Sequence, residues 1–333
     1  MAERTTTQPR GDARAVADAS LRAIVAAGHP YSARVAAYHM GWADADGTPT
    51  TANSGKGVRP ALALLSARLA GAEAEVGVPG AVAVELVHNF SLLHDDVLDE
   101  DVLRRGRPTA WTVFGVGAAV LAGDALLNAA IEVVSAHHAA TRRMVDAVDG
   151  LIVGQCRDLA FETRDDVSIV EYLEMAAGKT GALFGCAASV GAVLADAPAH
   201  VVDALETFGR CLGIAFQAVD DLLGIWGSPS VTAKSNRSDL RRGKKTLPVL
   251  AALRSTHPAV PELAALLRRR DLGDADLDRA AELVELTGGR SFTSTVADRR
   301  LAEAITALDD IDPDPAVRAE TVALATTLVN RDR

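Results

Sequence analysis

Two acidic clusters lie inside otherwise apolar stretches: His94-Asp95-Asp96-Val97-Leu98-Asp99-Glu100-Asp101 and, far along the chain, Phe216-Gln217-Ala218-Val219-Asp220-Asp221. At about 100° per residue, Asp95 and Asp99 fall one helical turn apart and Asp96 three residues before Asp99, so the spacing predicts three carboxylates on one side. Like charges at that separation repel, so an apolar helix that keeps them suggests a cation. An all-oxygen donor set suits Mg²⁺, which retains waters and is shared between one or two carboxylates and substrate phosphates. One such cluster would equally fit a solvated helix end; two in similar settings point to metal-assisted chemistry on an anion.

Cationic residues are spaced to meet that anion. Ser54-Gly55-Lys56-Gly57-Val58-Arg59-Pro60 precedes a helix, where backbone N–H groups join Lys56 and Arg59. His88 is seven residues before Asp95 and shares its predicted face, or is an ordinary core histidine. Arg104-Arg105 directly follows the first acidic cluster and carries fork-shaped donors for phosphate. Lys179-Thr180 adds an ammonium and a hydroxyl between apolar runs without a Walker loop, and Lys234, Lys244 and Lys245 occupy a Gly/Ser/Arg-rich stretch able to close over phosphates.

The elements that must position these groups are helices. Runs such as Ala61 to Leu69 and Glu282 to Leu286 combine strong helix formers with apolar spacing near 3.6 residues, and strand signals are scarce. Breaks are expected at 44–54, 71–79, 104–108, 195–199, 227–243, 257–261 and 309–315, each rich in Gly, Pro, Asp or Ser. None has the composition of an interdomain linker. The reading is a single all-α domain over 13–333 around a central cavity, preceded by a disordered tail at 1–12.

The chain has 333 residues, 49% hydrophobic and 23% charged, which suits a soluble globular protein. A net charge of −10 argues against nucleic acid as a partner. Cys156, Cys186 and Cys211 form no CxxC pair and fit a reducing cytoplasm better than a disulfide framework. No membrane span is expected: the most apolar stretch, Val113 to Leu127, is interrupted by Gly115, Gly117, Gly123 and Asp124.

An ordered series of motifs completes the pattern: GKGVRP at Gly55–Pro60, ELVHNFSLLHDDVLDED at Glu85–Asp101, RRGRPT at Arg104–Thr109, AGDALL at Ala122–Leu127, GQCRDL at Gly154–Leu159, GKTGALF at Gly178–Phe184, FQAVDDLLGIWG at Phe216–Gly227 and GKKTLPV at Gly243–Val249. In this series the chain resembles the trans-isoprenyl diphosphate synthases of the polyprenyl synthetase family. The resemblance implies an isoprenoid-synthase-type helical bundle, acting as a homodimer, with up to three Mg²⁺ held by Asp95, Asp96, Asp99, Asp220 and Asp221. It assigns Arg104, Lys179, Gln217, Lys234 and Lys244 to an allylic diphosphate, and Lys56, Arg59, His88 and Arg105 to isopentenyl diphosphate. Thr180, Gln217 and the Lys179 carbonyl would stabilise an allylic cation, and the released pyrophosphate would take the final proton.

Departures from the family pattern carry expectations of their own. Gly57 stands where an arginine is usual, which predicts a weaker isopentenyl diphosphate site. Gly224 replaces the last aspartate of the second motif, which predicts weakened metal binding, and Ala233 and Arg237 replace glycines. Phe90 and Ser91, before Asp95, would set chain length, with geranylgeranyl diphosphate the first expectation and farnesyl diphosphate the next; Phe90 also reads as plain helix packing. Two rivals remain at this stage, a class I terpene cyclase and a noncatalytic partner subunit. With 13 aromatic residues, the chain is poorly supplied with the cation-holding walls a cyclase uses.

Overall fold

The first acidic cluster needs a long rigid support, and the sequence builds one by following a proline at the helix start with a mostly apolar run. A computed structural model of the protein describes residues 10–50, 57–227, 237–269 and 271–330. The fold is all-α, as the sequence predicts. The chain divides into two compact units, one of Met1–Ala147, Cys186–Glu206 and Asp310–Thr321, the other of Val148–Gly185, Thr207–Asp309 and Val322–Arg333.

In the first unit, α1 (Arg10–Ala27) begins three residues inside the segment expected to be disordered; the rest of that segment lies outside the described residues. It is followed by α2 (Pro30–His39), α3 (Val58–Leu69) and α4 (Val78–Leu98), the last two packed on each other. Proline at the start of α2 and of α4 gives up an N–H that has no intrahelical partner there anyway. Along α4, Val82, Val84, Leu86, Val87 and Leu93 are buried to 2% exposure or less, so the axis carrying Asp95 is fixed by its inner face.

A two-stranded antiparallel hairpin follows, pairing Leu103–Arg104 with Arg107–Pro108. Its two turn residues, Arg105 and Gly106, both have positive φ (53° and 76°), as a type I′ turn requires. Thr109 and Trp111 donate to the Asp101 carbonyl at 2.7 and 2.8 Å, and the Tyr38 hydroxyl donates to the Pro108 carbonyl at 2.8 Å. The hairpin is therefore held against α2 and the end of α4.

After α5 (Ala110–Phe114) comes α6 (Val116–Val134), which runs straight through Gly117, Gly123 and Asp124 and packs against α4. Three helical stretches are long and apolar enough to cross a membrane by length and composition: Ala74–Leu98, Val116–Val134 and Ile169–Leu194. The most apolar part is 67% buried in the first and 78% in the third, but only 33% in the second.

In the second unit, α7 (His138–Glu162), α9 (Ala182–Leu194) and α10 (Ala199–Trp226) contribute their segments from 148 onward, up to 185 and from 207. Helix α8 (Ile169–Ala176) starts on a capping box in which Ser168 and Glu171 satisfy each other's backbone N–H. It runs into a five-residue π-helical turn, Ala177–Gly181. Beyond α10 lie α11 (Ser238–Arg241), α12 (Leu247–Leu253), α13 (Val260–Leu267), α14 (Asp274–Leu286), α15 (Gly289–Ala307) and α16 (Pro315–Val329). Ile225, Leu240, Val249, Leu263, Leu277 and Leu283 form the core of this part, each at 4% exposure or less.

Candidate active site

The first acidic cluster does not keep its three carboxylates together. Asp95 and Asp99 are half-buried, one turn apart at the end of α4, whereas the Asp96 side chain is 1% exposed and accepts from Arg104 Nε at 2.7 Å. Asp96 Oδ2 is buried without a hydrogen-bond partner. Burial lifts the Asp96 carboxyl to about 6, opposed by the Arg104 guanidinium beside it. Sequence periodicity placed the three within one turn but could not show that the neighbouring hairpin would draw one of them inward.

A basic group lies close by in the same unit. Arg59 Nη1 is 3.3 Å from His88 Nε2. Burial, with Arg59, Arg105 and Arg104 nearby, pushes His88 well below its ordinary value, so the ring is neutral and can accept from Arg59. Arg105 is presented at the exposed hairpin turn. Glu85 also lies near Arg59 and Arg105, and burial pushes its carboxyl up. Arg59, His88 and Arg105 thus lie near one another; Lys56 lies outside the described residues.

At Gly57, φ is 58°, a left-handed conformation that disfavours a side chain, and an added Cβ would lie 2.7 Å from Arg14 Nη2. The space next to the missing arginine is therefore occupied by a guanidinium from α1, a residue the sequence reading did not single out. Phe90 is buried on α4 with its ring 4.7 Å edge-on from His94, and Ser91 donates to the His88 carbonyl at 2.8 Å. A Cβ at Gly123 would overlap His94, so the glycine of the AGDALL motif is required by the close approach of α6 to α4.

The second unit carries the other acidic motif in a connected network. Lys179 Nζ lies 2.5 Å from Asp158 Oδ2. The π-helical turn holding Lys179 and Thr180 presses its backbone against Gly154, where any side chain would overlap Lys179 N. π-Helical turns gather at functional sites. Thr180 Oγ1 donates to Gln217 Oε1 at 2.8 Å, and Gln217 Nε2 donates to Asp221 Oδ1 at 3.1 Å. Asp221 Oδ2 accepts from the Tyr172 hydroxyl at 2.5 Å and from Leu247 N at 2.8 Å. Burial lifts Asp221 to about 7, with Tyr172, Leu247 and Gln217 opposing through their hydrogen bonds. Burial, then the Asp221 charge, holds Tyr172 well above its ordinary value, so it stays a donor.

Asp220 is half-buried beside Asp221 on α10. A Cβ at Gly224 would overlap the Asp239 carboxylate of α11, so another acidic group occupies the place of the missing aspartate. Arg237 sits before α11 at φ 61°, a left-handed position where glycine would be unstrained, and is ion-paired with Asp278. Lys244 donates its backbone N–H to the Asp239 carbonyl at 3.0 Å, and Lys245 pairs with Asp165 at 3.0 Å. Lys234 and Ala233 lie outside the described residues.

Among the described residues, no three His, Cys, Asp or Glu side chains gather tightly enough to hold a metal by themselves. Asp95 and Asp99, half-buried oxygen donors one turn apart at the end of α4, fit a hard cation whose remaining ligands are water and substrate phosphate.

The sequence matches the polyprenyl synthetase family over residues 46–284. The chain belongs to that family. It is similar to the (2E,6E)-farnesyl diphosphate synthase of Mycobacterium tuberculosis strain H37Rv, at 47% identity over 311 residues, covering 91% of this chain and 87% of the relative. The geranylgeranyl diphosphate synthase of the same organism is 44% identical over 308 residues, covering 90% and 87%. The crystal structure of a polyprenyl synthetase from Streptomyces coelicolor A3(2) superposes with a TM-score of 0.91 at 49% identity, over 96% of this chain and 98% of that one. As a polyprenyl synthetase family member the protein is a prenyltransferase that makes prenyl diphosphates. Within that family frame, Tyr172, Asp158, Asp239 and Arg14 escaped the sequence reading because each acts across the fold on a residue distant in sequence.

Proposed function

We propose that this prenyltransferase condenses isopentenyl diphosphate head-to-tail with an allylic diphosphate in a Mg²⁺-dependent reaction, giving linear all-trans geranylgeranyl diphosphate. The observation that carries the reading is the gathering of Arg59, neutral His88 and Arg105 in the unit that also holds Asp95 and Asp99. A cation-rich set beside a carboxylate pair suits two diphosphates, one bound directly by guanidinium groups and one through metal. A cyclase, which takes one diphosphate, has no use for the first set.

Up to three Mg²⁺, when bound, neutralise charge building on the allylic leaving group. Asp95 and Asp99 in the first unit and Asp220 in the second are half-buried carboxylates that would hold such ions, with Asp96 held against Arg104. Lys179, oriented by Asp158, and Lys244 supply charge toward the same diphosphate. Thr180 and Gln217 present oxygen atoms to the allylic cation. Arg59, His88 and Arg105 hold isopentenyl diphosphate, and the released pyrophosphate takes the proton lost after carbon–carbon bond formation.

Relatives of both farnesyl and geranylgeranyl type bracket the product. Ser91 beside Phe90 supports the longer one, since a hydroxymethyl group leaves room that a second aromatic ring would fill. The apolar, largely uncovered α6 supports assembly as a homodimer, and three free cysteines support a cytoplasmic setting.

The test is incubation of purified protein and Mg²⁺ with isopentenyl diphosphate and dimethylallyl, geranyl or farnesyl diphosphate, with products identified by mass spectrometry before and after phosphatase treatment. A twenty-carbon linear alcohol seen only after phosphatase is expected. Hydrocarbons or cyclic alcohols without phosphatase would make the protein a cyclase, and no turnover would make it a partner subunit.

A further inference from the structure

We infer that Tyr172 and Asp221 form a positioning pair that fixes the orientation of the Gln217 amide, and through it the direction of the Thr180 hydroxyl proton. The inference rests on the prenyl-transfer reading above and names residues that shape its cationic step.

The argument starts from what each group can do. A carboxylate only accepts hydrogen bonds, and an amide side chain has one accepting and one donating end. Asp221 Oδ1, 3.1 Å from Gln217, therefore selects Nε2, because the reversed amide would set two acceptors against each other. With Nε2 so committed, Oε1 faces Thr180 and must receive the hydroxyl proton, 2.8 Å away. Thr180 has a single proton to give. Its lone pairs are left pointing away from Gln217, and the second lone pair of Gln217 Oε1 is left free of the Thr180 proton.

That direction matters for a developing carbocation, which is stabilised by oxygen lone pairs and repelled by N–H dipoles. A free glutamine would sample both orientations, one of them presenting its NH₂ to the cation. Asp221 removes this choice while it is ionised and held still, since a protonated carboxyl could donate to a reversed amide. Tyr172 at 2.5 Å and Leu247 N at 2.8 Å both donate to Oδ2, so with Gln217 three of about four acceptor positions are engaged by the protein itself. Asp221 is 4% exposed and Tyr172 2%. This assigns Asp221 a role distinct from that of its neighbour Asp220: orienting an amide rather than holding a metal.

Tyr172→Phe tests the inference, since it removes one hydroxyl and little volume. The expected result is a kcat lowered about tenfold, with KM for both diphosphates and the half-saturating Mg²⁺ concentration within about twofold of wild type. In a Gln217→Leu background the same substitution should cost almost nothing further, because the pair acts through Gln217. An equal loss in both backgrounds, no loss at all, or a Mg²⁺ requirement raised in step with the rate loss would each overturn the inference. Should Tyr172→Phe fail to fold, Asp221→Asn takes its place, as its NH₂ allows the Gln217 amide to reverse; the same kinetic split is expected. If the wild-type protein makes no prenyl diphosphate, the functional reading fails by itself. Crystal structures of wild type and Tyr172→Phe then decide the positioning: a displaced or mixed Gln217 side chain supports it, and an unchanged one overturns it.

Discussion

The Asp239 carboxylate occupies the space into which a side chain at Gly224 would grow. The shortened second motif thus does not lack an acidic group; it takes one from α11. Gly224→Ala is expected to push the Asp239 carboxylate aside, at a modest cost in stability because only a side-chain end must give way, and to weaken Mg²⁺. Asp239→Ala should weaken Mg²⁺ without the steric cost. Chemical denaturation and Mg²⁺ titration of each variant separate the two effects, and unchanged Mg²⁺ dependence in Asp239→Ala would return Asp239 to a packing role.

The same substitution by proximity recurs at Gly57, where the Arg14 guanidinium lies 2.7 Å from the position of an added Cβ. Arg14→Ala should raise KM for isopentenyl diphosphate about tenfold, the loss of one charge-assisted hydrogen bond of ~1.5 kcal/mol, and leave KM for the allylic diphosphate nearly unchanged. Equal effects on both substrates would mean that Arg14 only anchors α1.

These two cases show where sequence reading stops. Helical periodicity and the ordered motifs were enough to place Asp95, Asp99, His88 and Gln217 on helices, because each is fixed by local spacing, whereas Arg59, expected before a helix, lies inside α3. They could not anticipate that Asp96 turns toward Arg104, that α8 passes into a π-helical turn at Ala177, or that Tyr172 reaches Asp221 across 49 positions. Such contacts depend on how closely helices approach, and here that is set by glycines such as Gly154, whose effect is visible only once its neighbour Lys179 is in place. Likewise Gly123 reads only as an interruption of an apolar stretch, yet it leaves room for His94 where α6 meets α4.

Arg104 and Asp96 make a partly buried charge pair, with side chains 24% and 1% exposed. Arg104→Ala leaves a buried carboxylate without its guanidinium, so a loss of roughly 1–3 kcal/mol is expected, with Asp96 moved still further up. Asp96→Asn added to Arg104→Ala should recover part of that loss, since a neutral amide needs no counter-charge. Urea unfolding of the single and double variants checks this; equal stability of Arg104→Ala and wild type would mean the pair contributes nothing.

Stability should also report the buried carboxylates through pH. Burial lifts Asp96 to about 6 and Asp221 to about 7, above the value of about 3.9 they take in an unfolded chain. Below about pH 4 both are protonated in either state and cost nothing; as pH rises the unfolded chain ionises first, and folding loses stability until the folded groups ionise too. His39, pushed down to about 3 by burial and the nearby Arg104 and Arg105, and His88, also pushed down, work in the opposite direction, favouring the folded state as pH rises toward 6.5. The wild-type curve therefore mixes opposing slopes, and the informative quantity is the difference between metal-free wild type and Asp221→Asn. The stability of wild type relative to Asp221→Asn should fall by up to ~1.4 kcal/mol per pH unit between about pH 4.5 and 7, then level off. A flat difference across that window would mean that Asp221 ionises as easily in the fold as in water, its three hydrogen-bond donors balancing burial.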